Sequence, residues 1–261
     1  MKSLEGRVVL ITGASSGIGA ACAKAMGSHG AKLVLNARRR ERLEALAQDL
    51  KARHGSSARV CQFDVRDLEQ VRTSLEKLPP EWQDIDVLVN NAGLARGMEK
   101  LHEGSTEDWD EMIDTNVKGL LYVTRCVLPG MVSRGRGHIV NIASIAGIET
   151  YPNGAVYCAS KAAARVITAG LKKDLLGTNI RVTAISPGLV QTEFSEVRFH
   201  GDKTRAKQTY MGLTPLRPED VADAVLFAVE RPDHVNISEV VLMPTDQSGS
   251  TMVHRRDLGS K

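Results

Sequence analysis

Apolar residues in this chain fall into short unbroken runs, separated by longer stretches in which apolar positions recur every three or four residues. The runs at 7–11, 32–36, 59–63, 87–90, 138–142, 181–185 and 240–243 are mostly continuous rather than alternating. A continuous apolar run of that length suits a strand covered on both faces. Helical periodicity occupies 17–29, 39–54, 68–77, 109–134, 155–176 and 218–230. The last stretch opens with Pro218, Glu219 and Asp220. Proline costs least in a helix's first turn, and acids favour the positive end of the helix dipole. Strands alternating with helices call for a parallel sheet with right-handed crossovers and helices on both faces. The pattern therefore predicts one doubly wound α/β domain with a seven-stranded parallel sheet. Ligands of such a sheet gather at the carboxyl ends of its strands.

The periodicity weakens across 188–217. About 30 residues without a clear element are unusual in a compact domain and often form a functional lid, so this segment is the expected substrate loop. The tail, 245–261, is polar and carries His254, Arg255 and Arg256. Either a frayed end or an arm laid on a neighbouring subunit would suit it. A length of 261 residues fits one domain, and 42% hydrophobic with 25% charged residues fits a globular one. A net charge of +3 does not argue for a nucleic-acid partner. Cys22, Cys61, Cys126 and Cys158 are far apart and form no CxxC pair. No metal site is expected, and the thiols read as core residues in a reducing compartment. The first residues contain no signal-peptide core, and no stretch has the roughly 20 apolar residues of a membrane span. The expectation is a soluble cytoplasmic protein.

Chemistry enters at the first strand–helix junction. The run Thr12-Gly13-Ala14-Ser15-Ser16-Gly17-Ile18-Gly19 follows a strand and opens a helix. Glycines there allow a tight turn, and backbone N–H groups with the helix dipole suit a pyrophosphate. Placed at the head of an alternating pattern, the loop indicates a Rossmann-type dinucleotide-binding domain.

Gly13, Gly17 and Gly19 are spaced as TGxxxGxG. Asn90-Asn91-Ala92-Gly93 closes the fourth strand, Asn116 lies in the next helix, and Ser144 closes the fifth strand. Tyr157-Cys158-Ala159-Ser160-Lys161 matches YxxxK, thirteen residues beyond that serine. Pro187-Gly188 closes the sixth strand and Thr192 follows. Together and in this order, over nearly the whole chain, these motifs resemble the short-chain dehydrogenase/reductase family.

The resemblance implies a cofactor held by Gly13, Ser15, Ser16, Gly17, Ile18 and Gly19. It adds Asp64 and Val65 at the adenine, then Asn91, Ala92 and Gly93, and finally Pro187, Gly188, Val190 and Thr192 with Tyr157 and Lys161. An NAD-preferring fold usually puts an acid at the end of the second strand. This chain has Arg38-Arg39-Arg40 there. A guanidinium fork matches a 2′-phosphate. Arginine at a helix start also opposes the dipole, so something else should favour it. The expected cofactor is NADP; by resemblance, Arg38 is the main 2′-phosphate contact, with Ser16 and Arg39 assisting.

Tyr157 and Lys161, four apart in a helical pattern, share one face. Hydride transfer leaves an oxygen that must gain or lose a proton, and an unperturbed phenol with a pKa of about 10 needs help to exchange one near neutrality. A neighbouring ammonium and a positive nicotinamide favour the phenolate. By resemblance, Ser144 holds the substrate oxygen, Lys161 binds the nicotinamide ribose, and Asn116 links Lys161 to solvent.

The stretches 90–95, 109–125, 192–199 and 243–247 further resemble the NADP-dependent 3-hydroxy acid dehydrogenase branch. That branch includes serine 3-dehydrogenases and L-allo-threonine dehydrogenases. The implied reaction is oxidation of the 3-hydroxyl of a short acid such as serine, allo-threonine or 3-hydroxyisobutyrate, or reduction of the matching 3-oxo acid, in a homotetramer. A carboxylate substrate needs a cation near the reacting carbon. Arg198 is the first candidate and Arg96 the second. The alternatives are a broad-specificity carbonyl reductase and a non-catalytic dinucleotide-binding regulator.

Overall fold

A computed structural model describes residues 3–257, so the last four residues of the tail lie outside the described residues. Seven strands form the sheet: β1 (Val8–Ile11), β2 (Lys32–Leu35), β3 (Ala58–Val60), β4 (Ile85–Asn90), β5 (Gly137–Ile142), β6 (Ile180–Pro187) and β7 (Glu239–Leu242). Their order is β3-β2-β1-β4-β5-β6-β7, and every pairing is parallel. After β3 the chain crosses to the other side of β1, which opens a crevice at the carboxyl ends of β1 and β4.

The unbroken apolar runs are explained by two cores. Val9, Ile11, Leu33, Leu35, Val87, Val89 and Val140 face one layer. That layer holds residues of α1 (Gly17–Ser28), α2 (Arg40–His54) and α10 (Pro218–Val229). Their neighbours Val8, Leu10, Val34, Leu88, Ile139 and Val182 face the opposite layer, with α3 (Leu68–Glu76), α6 (Leu120–Arg134) and α7 (Ala155–Asp174). Alternate side chains point to opposite faces, so a strand buried on both sides has no polar face to show. Cys22, Cys61 and Cys158 are buried and Cys126 is half-buried. Burial pushes the Cys22 thiol up to about 12 and the Cys61 thiol up to about 11.

Three element boundaries differ from the sequence expectation. The helix expected over 109–134 starts earlier, because the Ser105 side chain caps α5 (Thr106–Ile113) by accepting from Asp108 N. It is then interrupted by a π-helical segment, Asp114–Gly119, before α6. The third strand stops at Val60 rather than 63, and the Asn36 side chain takes the carbonyls of Cys61 and Phe63 at 3.0 Å each. The segment expected to lack elements contains two short helices, α8 (Phe194–Arg198) and α9 (Lys203–Gln208). A further short helix, α4 (Pro80–Gln83), precedes β4. Among the described residues, no helix is long and apolar enough to cross a membrane.

Candidate active site

A cleft of about 980 Å³ runs along the carboxyl ends of the strands. Its walls include residues that follow β1 to β6 in turn: Gly13, Arg38, Asp64, Asn91, Ser144 and Gly188. The loop after β1 is pinned to the end of β4. The Thr12 hydroxyl accepts from Asn91 N and Ala92 N at 3.0 Å each, and the Asn91 amide donates to the Thr12 and Gly13 carbonyls at 2.9 and 3.2 Å. Gly13 has φ +66°, and a Cβ there would lie 2.9 Å from the Asn91 side chain. A Cβ at Gly19 would lie 2.4 Å from the Gly13 carbonyl oxygen. Ser15, Ser16, Gly17 and Ile18 line the cleft, whereas Gly19 is buried behind them and serves the close packing of helix on strand.

The basic end of the cleft is more elaborate than the sequence suggested. Arg39 is the N-cap residue of α2 rather than its first turn. Its guanidinium donates to Ser15 Oγ at 3.1 and 3.3 Å and to Ser16 Oγ at 2.9 Å. Its remaining arm reaches Glu193 Oε2 at 3.1 Å, and Arg42 holds the same carboxylate at 2.7 and 2.9 Å. Arg38 lines the cleft with its side chain 56% exposed and lies 3.8 Å from Glu111. Asp64 and Val65 also line the cleft. Burial raises the Asp64 carboxyl, but hydrogen bonds from Arg66 outweigh it and hold it below its ordinary value.

Asn116, Ser144, Tyr157 and Lys161 converge where β4, β5 and α7 meet. Lys161 Nζ donates to the Ile142 carbonyl at 2.9 Å. A Cβ at Gly93 would lie 3.1 Å from Asn116 Oδ1 and 3.3 Å from Lys161 Nζ, so both groups face that glycine. Asn116 lies within the π-helical segment, a feature frequent at functional sites. Its amide exchanges hydrogen bonds with Leu94 O and N at 2.8 and 2.9 Å and donates to Ser160 Oγ at 2.9 Å. It stands behind the cleft wall, whereas Ser144, Tyr157 and Lys161 form it.

The protein's own groups set the electrostatics of this corner. Burial pushes the Tyr157 phenol above its ordinary value, while a hydrogen bond from Ser144 and the charge of Arg198 oppose that rise. Lys161 was the residue expected to lower the phenol. It is itself buried, and burial brings it down to about 8. While it carries its proton, a buried ammonium is screened less by water than an exposed one, so it remains a source of positive potential for the site.

Beyond Tyr157 lies an aromatic and cationic end. Phe194 meets the Tyr157 ring at 5.6 Å between centroids. The Arg198 guanidinium lies 5.5 Å from the Tyr157 ring and 5.4 Å from the Tyr151 ring. Arg96 is not brought to the cleft. Its guanidinium is committed to Glu111 at 2.7 Å and to the Val197 carbonyl. Sequence reasoning missed Tyr151 and Glu193, which carry no motif, and it missed the tail's path. The described part of the tail folds back on this same chain: Gln247 Oε1 accepts from Leu189 N at 2.8 Å, and Arg256 N donates to Gly212 O at 2.8 Å.

A doubly wound parallel sheet, a glycine turn over β1 and a Tyr–Lys pair on α7 define a dinucleotide-dependent dehydrogenase fold. Residues 7–203 match the short chain dehydrogenase family, and the chain belongs to it. A Salmonella typhi protein named NADP-dependent 3-hydroxy acid dehydrogenase is 50% identical over 250 residues, which cover 95% of this chain and 99% of that protein. A Schizosaccharomyces pombe protein of the same name is 44% identical over 257 residues, covering 98% and 99%. Among solved structures, the closed form of serine dehydrogenase complexed with NADP+ superimposes with a TM-score of 0.89 at 49% identity. It covers 95% of this chain and 100% of that one.

Proposed function

We propose that this protein is an NADP(H)-dependent oxidoreductase acting on the 3-hydroxyl carbon of a short 3-hydroxy acid, or on the matching 3-oxo acid. One observation carries the reading: Tyr157, Ser144 and Arg198 stand together in a cleft whose other end is a glycine turn beside exposed arginines. The residues fit the cofactor. Side chains at Gly13 or Gly19 would fill the turn, and Arg38 and Arg39 bring cationic forks to the end where a 2′-phosphate belongs. When bound, NADP(H) accepts or supplies the hydride.

The chain's own residues manage orientation and protons. The Ser144 hydroxyl holds the substrate oxygen beside Tyr157, and the phenol gives or takes its proton. Lys161 holds the cofactor's ribose and adds positive potential. Asn116 fixes Leu94 and, through Ser160, the start of α7. Gly13, Ser15, Ser16, Gly17, Ile18, Asp64, Val65, Asn91, Ala92, Gly93, Pro187, Gly188, Val190 and Thr192 are the remaining cofactor contacts. Arg198 takes the substrate carboxylate, and residues 188–217 form the lid that covers it. The family resemblance supports a homotetramer in the cytoplasm.

A kinetic screen tests the reading. Short 3-hydroxy acids with NADP are expected to turn over faster than neutral alcohols, and faster than the same acids with NAD. Preference for neutral ketones or aldehydes would instead mark a broad carbonyl reductase, a reading that the apolar residues Leu94, Val197 and Phe199 on the cleft wall also suit.

A further inference from the structure

Arg198 is held by two separate segments of the chain. Its Nε donates to the Gly97 carbonyl at 3.0 Å, and Gly97 N donates to the Arg198 carbonyl at 3.0 Å. Its Nη2 donates to the Tyr151 hydroxyl at 2.6 Å. Among the described residues, Nη1 has no hydrogen-bond acceptor, and the Tyr151 hydroxyl accepts from Arg198 without donating elsewhere. A free arginine side chain carries much rotamer entropy, and tethers at Nε and Nη2 remove most of it before a ligand arrives. The chain also makes room for the ring that does this. A Cβ at Gly154 would lie 2.0 Å from the Tyr151 ring, so only glycine lets Tyr151 lie against the head of α7.

We infer that Tyr151 is a specificity-determining residue that, with Arg198, clamps the substrate carboxylate. Its oxygen accepts from Nη2 and aims the guanidinium, and its own proton is left for the same carboxylate. The clamp then holds three donors: Nη1, the second Nη2 proton and the Tyr151 hydroxyl. Burial keeps Tyr151 protonated, since its phenol lies above the ordinary value despite the neighbouring charge of Arg198. A neutral substrate of the same shape gains little from these donors, because hydrogen bonds to a charged acceptor are roughly twice as strong. The inference rests on Arg198 being the carboxylate's partner.

The test compares wild type, Tyr151→Phe, Arg198→Ala and the double variant, each as the full chain with NADP. The substrates are a 3-hydroxy acid and its methyl ester. Tyr151→Phe keeps the ring over the guanidinium and removes only the hydroxyl. It is expected to lower the acid-to-ester ratio of kcat/KM by roughly tenfold, chiefly through KM for the acid. In the double variant the ratio should fall no further than in Arg198→Ala, because the two residues act as one unit. NADPH affinity, read by fluorescence, should stay within about twofold of wild type in Tyr151→Phe. Equal losses on acid and ester, or weakened NADPH binding, would show that Tyr151 only supports the fold. Additive losses in the double variant would overturn the shared clamp while leaving Arg198's role intact. An unaltered ratio in Arg198→Ala would overturn the carboxylate reading itself, and the Tyr151 inference with it.

Discussion

Burial opposes the ionisation that the proposed role of Tyr157 requires, so this phenol depends on its neighbours more than an exposed one would. Ser144 and Arg198 supply the opposing influences within the protein. Tyr157→Phe is expected to lower kcat by at least about a hundredfold, the scale of a lost general acid. Cofactor affinity measured by fluorescence titration should persist, and an undiminished kcat would end the assignment. Arg38 lines the cleft with its side chain exposed and meets Glu111 only at 3.8 Å, a long, weak pair that a phosphate can displace. Arg38→Ala is expected to raise KM for NADP about ten- to a hundredfold and to leave KM for NAD nearly as it was. Matching changes with both cofactors would refute it. At this scale the sequence was legible wherever a role is tied to spacing. Tyr157 and Lys161 share a face because they are one helical turn apart. Tyr151 was not legible, because a lone tyrosine in a loop has no spacing that distinguishes it.

Elements were readable in proportion to their length and regularity. Runs such as 138–142 are apolar throughout because β5 is paired on both sides and covered on both faces. The break between α5 and α6 was hidden, since a π-helical turn adds a residue without disturbing the polarity pattern. That turn sets Asn116 against Leu94. The paired strands also carry a pH-sensitive group. His138 on β5 is buried, its Nε2 lies 2.8 Å from Thr183 Oγ1 on β6, and burial together with Arg181 holds its pKa well below the ordinary value. The unfolded chain takes a proton there that the folded chain refuses. The stability tied to neutral His138 is therefore present above the ordinary histidine pKa of about 6.5 and is lost as pH falls below it. In His138→Leu, Tm is expected to decline less steeply than in wild type as the pH is lowered from about 7 to about 5. An identical slope would remove His138 from the account.

At the scale of the whole molecule, the cleft is assembled from segments far apart in sequence. Glu193 ties the base of the 188–217 segment to Arg39 and Arg42, and Gly97 ties its first helix to the loop after β4. From the other side, Arg256 holds Asp246 at 2.6 Å and Thr214 at 3.0 Å. Arg256→Ala should loosen that segment. The expected result is a KM for the hydroxy acid raised about threefold, with faster protease cleavage within 199–217 and a smaller change in KM for NADP. Unchanged cleavage would show that the tail does not brace the segment. The sequence alone determined the sheet, its parallel sense, the glycine turn and the Tyr–Lys pair. Each of these follows from local periodicity or from chemistry at a short fixed spacing. Only the tertiary structure decided that Arg198 rather than Arg96 faces the cleft, that Tyr151 holds it, and that the described tail returns to its own chain. Those outcomes depend on which distant groups satisfy one another's hydrogen bonds once the chain is packed, and no local pattern encodes that choice.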